Sequence, residues 1–143
     1  MSENKESFEQ IVSIFRELGT DKPELLERLR GLYAGRVHFQ DPIQSVNGVD
    51  EFMALNRRLL ARSRVLRFEV RSHTFEGDEG FLTWRMYLTP RLGPSLDVDG
   101  VSHLQLRDGL VHEHRDYWDF FELFASAIPG GRAALRLLLR PLA

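Results

Sequence analysis

Apolar residues change their spacing near residue 64 of this 143-residue chain. Before that point they recur every three or four positions, which is the period of an amphipathic helix. After it they alternate with polar residues, as in strands that bury one face. A chain with helices first and strands afterwards is expected to pack its helices on one face of a curled antiparallel sheet, which is an α+β fold.

The first part of the chain predicts three helices and one short strand. Helices are expected over residues 8–18, from Asp21 to Tyr33 and over residues 49–62, each with an apolar stripe. Between the second and third helices, residues 36–42 alternate and place Val37, Phe39 and Asp41 on one face of a strand that stops at Pro42.

The second part predicts a meander of four strands, at residues 66–75, 81–89, 96–107 and 110–118. The Asp108-Gly109 pair between the last two strands is a strong hairpin signal. Residues 119–143 are expected to form a helical tail with a break at Pro129-Gly130-Gly131. We expect residues 1–143 to form a single domain.

Composition excludes several classes of protein. The chain has no cysteine, which rules out disulfides, a catalytic thiol and cysteine-bound zinc. A formal net charge of -2 argues against nucleic acid as the main partner, because phosphate binding needs an excess of positive charge. No apolar run reaches the length of a membrane span and no signal peptide is apparent, so we expect a cytoplasmic protein.

The candidate site consists of polar residues on strand faces that should be buried. In the last strand, alternation places His112, His114, Asp116 and Trp118 on one face, and Trp118 suggests that this face points inward. Three histidine and aspartate residues at this spacing could bind a metal, but nothing else in the chain completes such a site, so neither a metal nor another cofactor is expected.

Two residues of the 81–89 strand extend this candidate cluster. Arg85 is the natural partner of a buried Asp116 carboxylate, and Tyr87 can donate a further hydrogen bond. Each has a purely structural alternative, because Arg85 with Asp116 can be a strand-bridging ion pair and Asp41 before Pro42 can simply start a turn.

At this point the order of elements, with the FQDP segment at residues 39–42 and HRDYWD at residues 114–119, resembles the nuclear transport factor 2-like superfamily. The resemblance covers about residues 7–125. It implies a cone-shaped barrel around the N-terminal helices, an internal ligand pocket and a homodimer, which the strand at 81–89, apolar on one face and partly so on the other, would form through the sheet.

Three branches of that superfamily match different residues. Asp41 is similar in context to the proton-shuttling aspartate of ketosteroid isomerases, whose second acid position falls at Ser102. Arg85 and Asp116 are similar to residues of limonene-epoxide hydrolases, with Tyr87 in place of a second aspartate. SnoaL-like polyketide cyclases need one acid/base carboxylate, and either Asp41 or Asp116 could serve.

These residues predict a cofactor-free acid/base enzyme for a small apolar molecule, an isomerase, cyclase or epoxide hydrolase. Its catalytic residues would be Asp41, Arg85, Tyr87, His114 and Asp116, and its ligand-binding residues Phe39, Val98, Ser102, Leu104 and Trp118. The alternatives are a ligand-binding module without turnover and an interaction protein that uses the sheet or its basic tail. For the tail, we expect the leucines of residues 132–140 to pack across the cone mouth or against a dimer partner.

Overall fold

The computed structural model describes residues 2–142 and contains six strands and five α-helices. In chain order they are α1 (Glu3–Glu17), α2 (Leu25–Arg30), β1 (Tyr33–Gln40), β2 (Ser45–Asn47), α3 (Val49–Ala61), β3 (Ser63–Glu76), β4 (Glu79–Pro90), β5 (Leu96–Arg107), β6 (Leu110–Trp118), α4 (Phe120–Ser126) and α5 (Gly131–Leu139), followed by a 3-10 turn (Arg140–Leu142). The predicted α+β fold and all four meander strands are confirmed.

The strands form one curved sheet in the order β2-β1-β6-β5-β4-β3. Two expectations need correction here. The sheet is mixed, because β1 runs parallel to β6 while every other pair is antiparallel. It is also an open sheet with β2 and β3 at its edges, so it does not close into a barrel. The parallel pair is sterically easy, because the long segment from α3 through β5 separates β1 from β6 and can carry the chain across.

Helix α1 packs across the inner face of the sheet. Phe8 and Phe15, at helical spacing, are buried against Phe75 and Phe68 of β3, with ring centroids 5.4 and 5.8 Å apart. Helix α3 covers the other half, where Phe52 stacks on Tyr33 of β1 at 4.6 Å. These aromatic contacts bury the stripes that the helical periodicity predicts.

The second helix begins later than its pattern suggests. It starts at Leu25, and Tyr33 is the first residue of β1 rather than the end of the helical stripe. Asp21 does not cap it, since Glu24 occupies the N-cap position. The correction matters for the site, because a strand places Tyr33 beside β6.

The tail forms two helices that flank the predicted break at residues 129–131. Helix α4 is capped by the Asp119 side chain, which accepts from Glu122 N at 3.0 Å. Helix α5 has no buried residue, and Leu138 is 74% exposed. The expectation that the leucines of residues 132–140 cover the mouth of the cone is therefore wrong for this chain by itself. Within residues 2–142, no helix has both the length and the apolar character that crossing a bilayer requires.

Candidate functional site

A cavity of about 350 Å³ lies between the helices and the concave face of the sheet. Its wall is mostly apolar on both sides. The sheet contributes Leu66, Phe68, Trp84, Met86 and Leu88, and the helices contribute Phe15, Leu18, Leu26, Leu29, Phe52, Leu55, Leu59 and Leu60. The cavity is within the size range of pockets that bind small molecules.

Asp116 is a carboxylate in this apolar wall. Its side chain is 19% exposed, and it borders the cavity from β6. Ser102 Oγ donates to Asp116 Oδ1 at 2.6 Å, and His114 Nε2 lies 2.6 Å from the same oxygen. Among the residues that the structure describes, no hydrogen bond reaches Oδ2. The carboxylate is thus held through Oδ1, while Oδ2 has no hydrogen-bond partner among those residues.

A buried chain of hydrogen bonds connects Asp116 through His114 to Tyr33. Tyr33 lies with its hydroxyl 2.8 Å from His114 Nδ1, and both side chains are buried. A neutral His114 with its proton on Nε2 satisfies every group, because Nε2–H then donates to Asp116 and Nδ1 accepts from Tyr33. The network thereby selects one tautomer of His114 and one orientation of the carboxylate.

The ionisation of Tyr33 agrees with this assignment. Burial raises the pKa of Tyr33 well above its ordinary value, and the negative charge of Asp116 raises it further. The hydroxyl therefore keeps its proton at physiological pH and is able to donate it to His114 Nδ1.

A second branch of the network comes from β4. Trp84 Nε1 donates to Ser102 Oγ at 2.9 Å, and the Ser102 hydroxyl in turn donates to Asp116. Ser102 is 1% exposed. Cross-strand register explains both contacts. Ser102 lies directly opposite Asp116, and Trp84 is its diagonal neighbour because Trp84 pairs with Gly100, two residues before Ser102.

Replacing Tyr33 with phenylalanine tests the network. The Tyr33→Phe variant leaves the buried His114 Nδ1 without its donor, and we expect it to lose about 1–3 kcal/mol of unfolding free energy. Chemical denaturation measures the loss, and nitrogen NMR shifts of His114 should show a change of tautomer. Tyr117→Phe is the control, because Tyr117 is 51% exposed. An unchanged His114 spectrum in Tyr33→Phe would contradict the assignment.

Asp41 also lines the cavity, but its carboxylate is engaged locally. Oδ1 accepts from the backbone N–H groups of Ile43 and Gln44 at 2.9 and 3.0 Å, and Oδ2 accepts from Gln44 Nε2 at 2.9 Å. The structural alternative for Asp41, the start of a turn, is therefore correct as a description of its contacts. Its catalytic role stays a prediction.

Arg85 and Tyr87 point away from the cavity. Arg85 Nη2 binds Asp97 at 2.5 Å and Nη1 binds Asp99 at 3.0 Å, across the hairpin on the convex face. Tyr87 donates to Glu69 at 3.3 Å on that same face. The predicted pairing of Arg85 with Asp116 is wrong, because alternation turns Trp84 and Met86 inward and the residues between them outward.

The Arg85 cluster predicts a dependence of stability on pH. Burial opposes the ionisation of Asp97, but hydrogen bonds from Arg85 and Arg132 outweigh it and lower the pKa of Asp97. The unfolded chain has an Asp pKa of about 3.9. The lowered folded value therefore adds stability above about pH 4, and this contribution disappears as the pH falls through the folded pKa.

Comparing urea unfolding at pH 7 and pH 3 measures this contribution. We expect Arg85→Met to lose stability at pH 7 and to lose less than the wild type on acidification. Arg67→Met is the control, since the Arg67 guanidinium stacks 3.9 Å from the Tyr87 ring centroid and is not a partner of Asp97. An equal pH dependence in Arg85→Met and the wild type would disprove the assignment.

Three of the five predicted ligand-binding residues line the cavity, and two lie in the hydrophobic core outside it. Phe39, Ser102 and Trp118 line the cavity. Val98 and Leu104 are fully buried in the hydrophobic core and are not among the lining residues, so the expectation that they line the cavity is wrong. Tyr33, Trp84 and Met86 are site residues that the sequence patterns did not identify, and only the apolar alternation around Trp84 gave a signal for them.

His112 does not share the inward face of β6. The pairing of β5 with β6 shifts between Gln105 and Leu106, because one extra residue forms a bulge in β6. Val111 and His114 are consequently buried, while His112 contacts Arg107 at 3.1 Å. The expected face is thus wrong for His112, while His114, Asp116 and Trp118 do share the side of β6 that borders the cavity. Residues 2–142 contain no group of three or more His, Asp or Glu side chains that could hold a metal ion.

Comparisons with solved structures agree with this fold. A protein described as a SnoaL-like polyketide cyclase from Jannaschia sp. CCS1 is 22% identical, with 87% of this chain and 91% of that chain covered and a TM-score of 0.72. An NTF2-like protein of unknown function from Burkholderia pseudomallei K96243 is 17% identical, with coverage of 90% and 100% and a TM-score of 0.73. An LEH-like epoxide hydrolase from M. tuberculosis is 16% identical, with 96% of each chain covered and a TM-score of 0.68.

Comparisons of sequence find one family and no curated relative. No curated protein matches the chain significantly in sequence. The SnoaL-like domain matches residues 15–114, from the end of α1 to the histidine beside Asp116. Since that match spans more than half of its length, the chain belongs to the SnoaL-like domain family.

Proposed function

We propose that this protein is a cofactor-free acid/base enzyme for an apolar small molecule, of the isomerase or cyclase kind, with Asp116 as the group that moves the proton. One observation carries the proposal. The carboxylate stands in an apolar cavity with Oδ1 held by Ser102 and His114 and with Oδ2 free among the described residues. An oriented base in a mostly apolar enclosure is the arrangement that proton abstraction requires.

The reaction class follows from a single oriented base. Asp116 Oδ2 takes a proton from a carbon next to a carbonyl, and the electron pair of the C–H bond moves to the carbonyl oxygen as an enolate. Where a C=C bond adjoins that carbon, the enolate is a dienolate and Asp116 returns the proton to its far carbon, which is isomerisation. Alternatively, the enolate carbon attacks a second carbonyl of the same molecule, which closes a ring, and Asp116 returns the proton to the alkoxide oxygen that forms. Gln44 and Asn56 line the cavity, and each donates one N–H to the protein, which leaves a second N–H for the enolate oxygen.

His114 and Tyr33 act as positioning residues in this proposal. His114 touches both Asp116 and Tyr33, and together they keep the carboxylate in one rotamer while it gains and loses the proton. Epoxide opening by Arg85, Tyr87 and Asp116 is not part of the proposal, because Arg85 and Tyr87 lie on the convex face.

A ligand-binding module without turnover is the second candidate. It is favoured by the contacts of Asp41, whose two oxygens serve a turn and leave Asp116 as the single carboxylate with a free oxygen in the cavity among the residues described.

We also propose a homodimer through the convex face, where Phe81 is 39% and Tyr117 51% exposed. Light scattering on the wild type and on a Phe81→Lys, Tyr117→Lys variant tests it, since a monomeric wild type would refute it.

Deuterium exchange separates enzyme from binding module without knowledge of the natural substrate. Apolar ketones and β-keto esters are incubated with the protein in D2O, and proton NMR follows exchange at the carbon next to the carbonyl. Binding is followed separately through tryptophan fluorescence, because both tryptophans of the chain, Trp84 and Trp118, line the cavity. Exchange above the buffer rate supports the enzyme. Compounds that bind but exchange only at the buffer rate would favour the binding module.

A further inference from the structure

Two arginines line the cavity on the side of α3. Arg58 lies in the last turn of that helix and Arg62 at its C-cap, four residues apart and hence on one face. Both side chains belong to exposed residues, whereas Leu59 and Leu60 beside them are partly buried. The arginines therefore form a charged edge at the mouth of an apolar cavity.

Neither guanidinium has a partner within residues 2–142. Arg57, the arginine of α3 that does not line the cavity, has a partner, because its guanidinium binds Glu27 of α2 at 2.5 Å. Arg30 and Asp50 form a further pair at the start of α3. Of the three arginines in α3 and at its C-cap, the one that does not line the cavity is thus paired, and the two that line it are unpaired among the described residues.

The end of α3 does not need these side chains as caps. Its last carbonyl groups already have donors: Ser63 Oγ bonds Leu59 O at 2.6 Å, and Arg91 Nε bonds Ala61 O at 2.8 Å. The backbone N–H of Arg62 bonds Arg58 O at 3.0 Å. A structural explanation based on helix capping is thereby removed.

The two carboxylates of the cavity do not neutralise the arginines either. Asp41 is bonded by Ile43 and Gln44, and Asp116 by Ser102 and His114. Neither carboxylate forms a salt bridge with Arg58 or Arg62, so the two guanidinium groups at the mouth of the cavity have no ion-pair partner among the described residues. An oxyanion is the ligand group that guanidinium groups bind best.

We propose that the ligand of this cavity is an apolar molecule carrying an acidic group, a carboxylate in its simplest form. Its anionic end binds Arg58 and Arg62 at the mouth, and its apolar body enters the cavity toward Asp116. The ligand class rests on the two arginines. Only the statement that this ligand is also the substrate rests on the proposed function.

A matched pair of ligands tests the inference. Phenylbutyrate and phenylbutyramide differ in charge but hardly in shape, and neither absorbs at the wavelength that excites tryptophan selectively. Fluorescence of Trp84 and Trp118 then measures both affinities directly. For the wild type we expect the carboxylate to bind about tenfold more tightly than the amide, an advantage that falls with added salt.

Two double variants locate the effect. Arg58→Gln with Arg62→Gln should bring the two affinities to within about twofold of each other, because both guanidinium groups are lost. Arg36→Gln with Arg64→Gln removes the same charge from exposed residues outside the cavity and should keep the preference. Equal affinities in the wild type, no binding of the carboxylate at millimolar concentration, or a preference that survives the first double variant would each overturn the inference.

Asp116→Asn distinguishes this inference from the proposed function. The variant retains both arginines, so the carboxylate preference should persist or grow as a negative charge leaves the cavity. A preserved preference without any exchange activity in the wild type would refute the enzyme and leave the ligand class intact. Exchange activity that favours neutral ketones would support the enzyme and refute the proposed ligand class.

Discussion

Asp116→Asn should slow deuterium exchange by about a hundredfold to ten-thousandfold, which is the range that a positioned general base contributes. Asparagine has nearly the size of aspartate, and its amide oxygen can still accept from Ser102 and His114. It cannot take up a proton from carbon. The rate of exchange should therefore fall while ligand binding, followed by tryptophan fluorescence, changes little.

Asp108→Asn is the matched control for this prediction. It makes the same substitution and the same change in net charge at an exposed turn residue outside the cavity. Asp108 has a φ of 54°, a conformation that asparagine adopts readily. Unimpaired exchange in Asp116→Asn would refute the role of the carboxylate, and an equal loss in both variants would point to a general effect of charge.

Gly100→Ala should destabilise the protein by about 3 kcal/mol, because there is no room for a methyl group at this position. Gly100 lies directly across the sheet from Trp84 on one side and Trp118 on the other. A Cβ atom there would overlap the Trp84 ring at Cη2, and that ring is 4% exposed and packed edge-on against Phe68. The indole must move, and its hydrogen bond to Ser102 moves with it.

The control for this prediction is Gly35→Ala, at a position in β1 where nothing lies within 4 Å of the methyl carbon that alanine would add. It should be neutral or slightly stabilising, since alanine reduces the freedom of the unfolded chain. Urea unfolding measures both variants. An unchanged midpoint of urea unfolding for Gly100→Ala would show that the packing around Gly100 and Trp84 is more adaptable than the structure indicates. Ser102 and Asp116 would then be held less rigidly than the proposed function requires.

Local sequence patterns predict much of the fold. Alternation predicts β5 and β6 with their observed ends. The helical stripe of α1 identifies Phe8, Ile11, Val12 and Phe15, which are buried, although it misses Ile14. The same alternation places Asp116 and Trp118 on one face of β6, which the structure bears out. These successes have one physical reason. The faces of helices and strands follow from backbone geometry, which depends only on near neighbours in the chain.

The tertiary structure decided which residues meet. Alternation separates Arg85 from Trp84 but does not say which of them faces the cavity, since that depends on where the helices pack. One extra residue in β6 turned His112 away from His114, and the early start of β1 brought Tyr33 to His114. The cavity itself is space that distant side chains leave unfilled. No local pattern of residues records such a space, so Val98 and Leu104 could not be told from true lining residues before the packing was known.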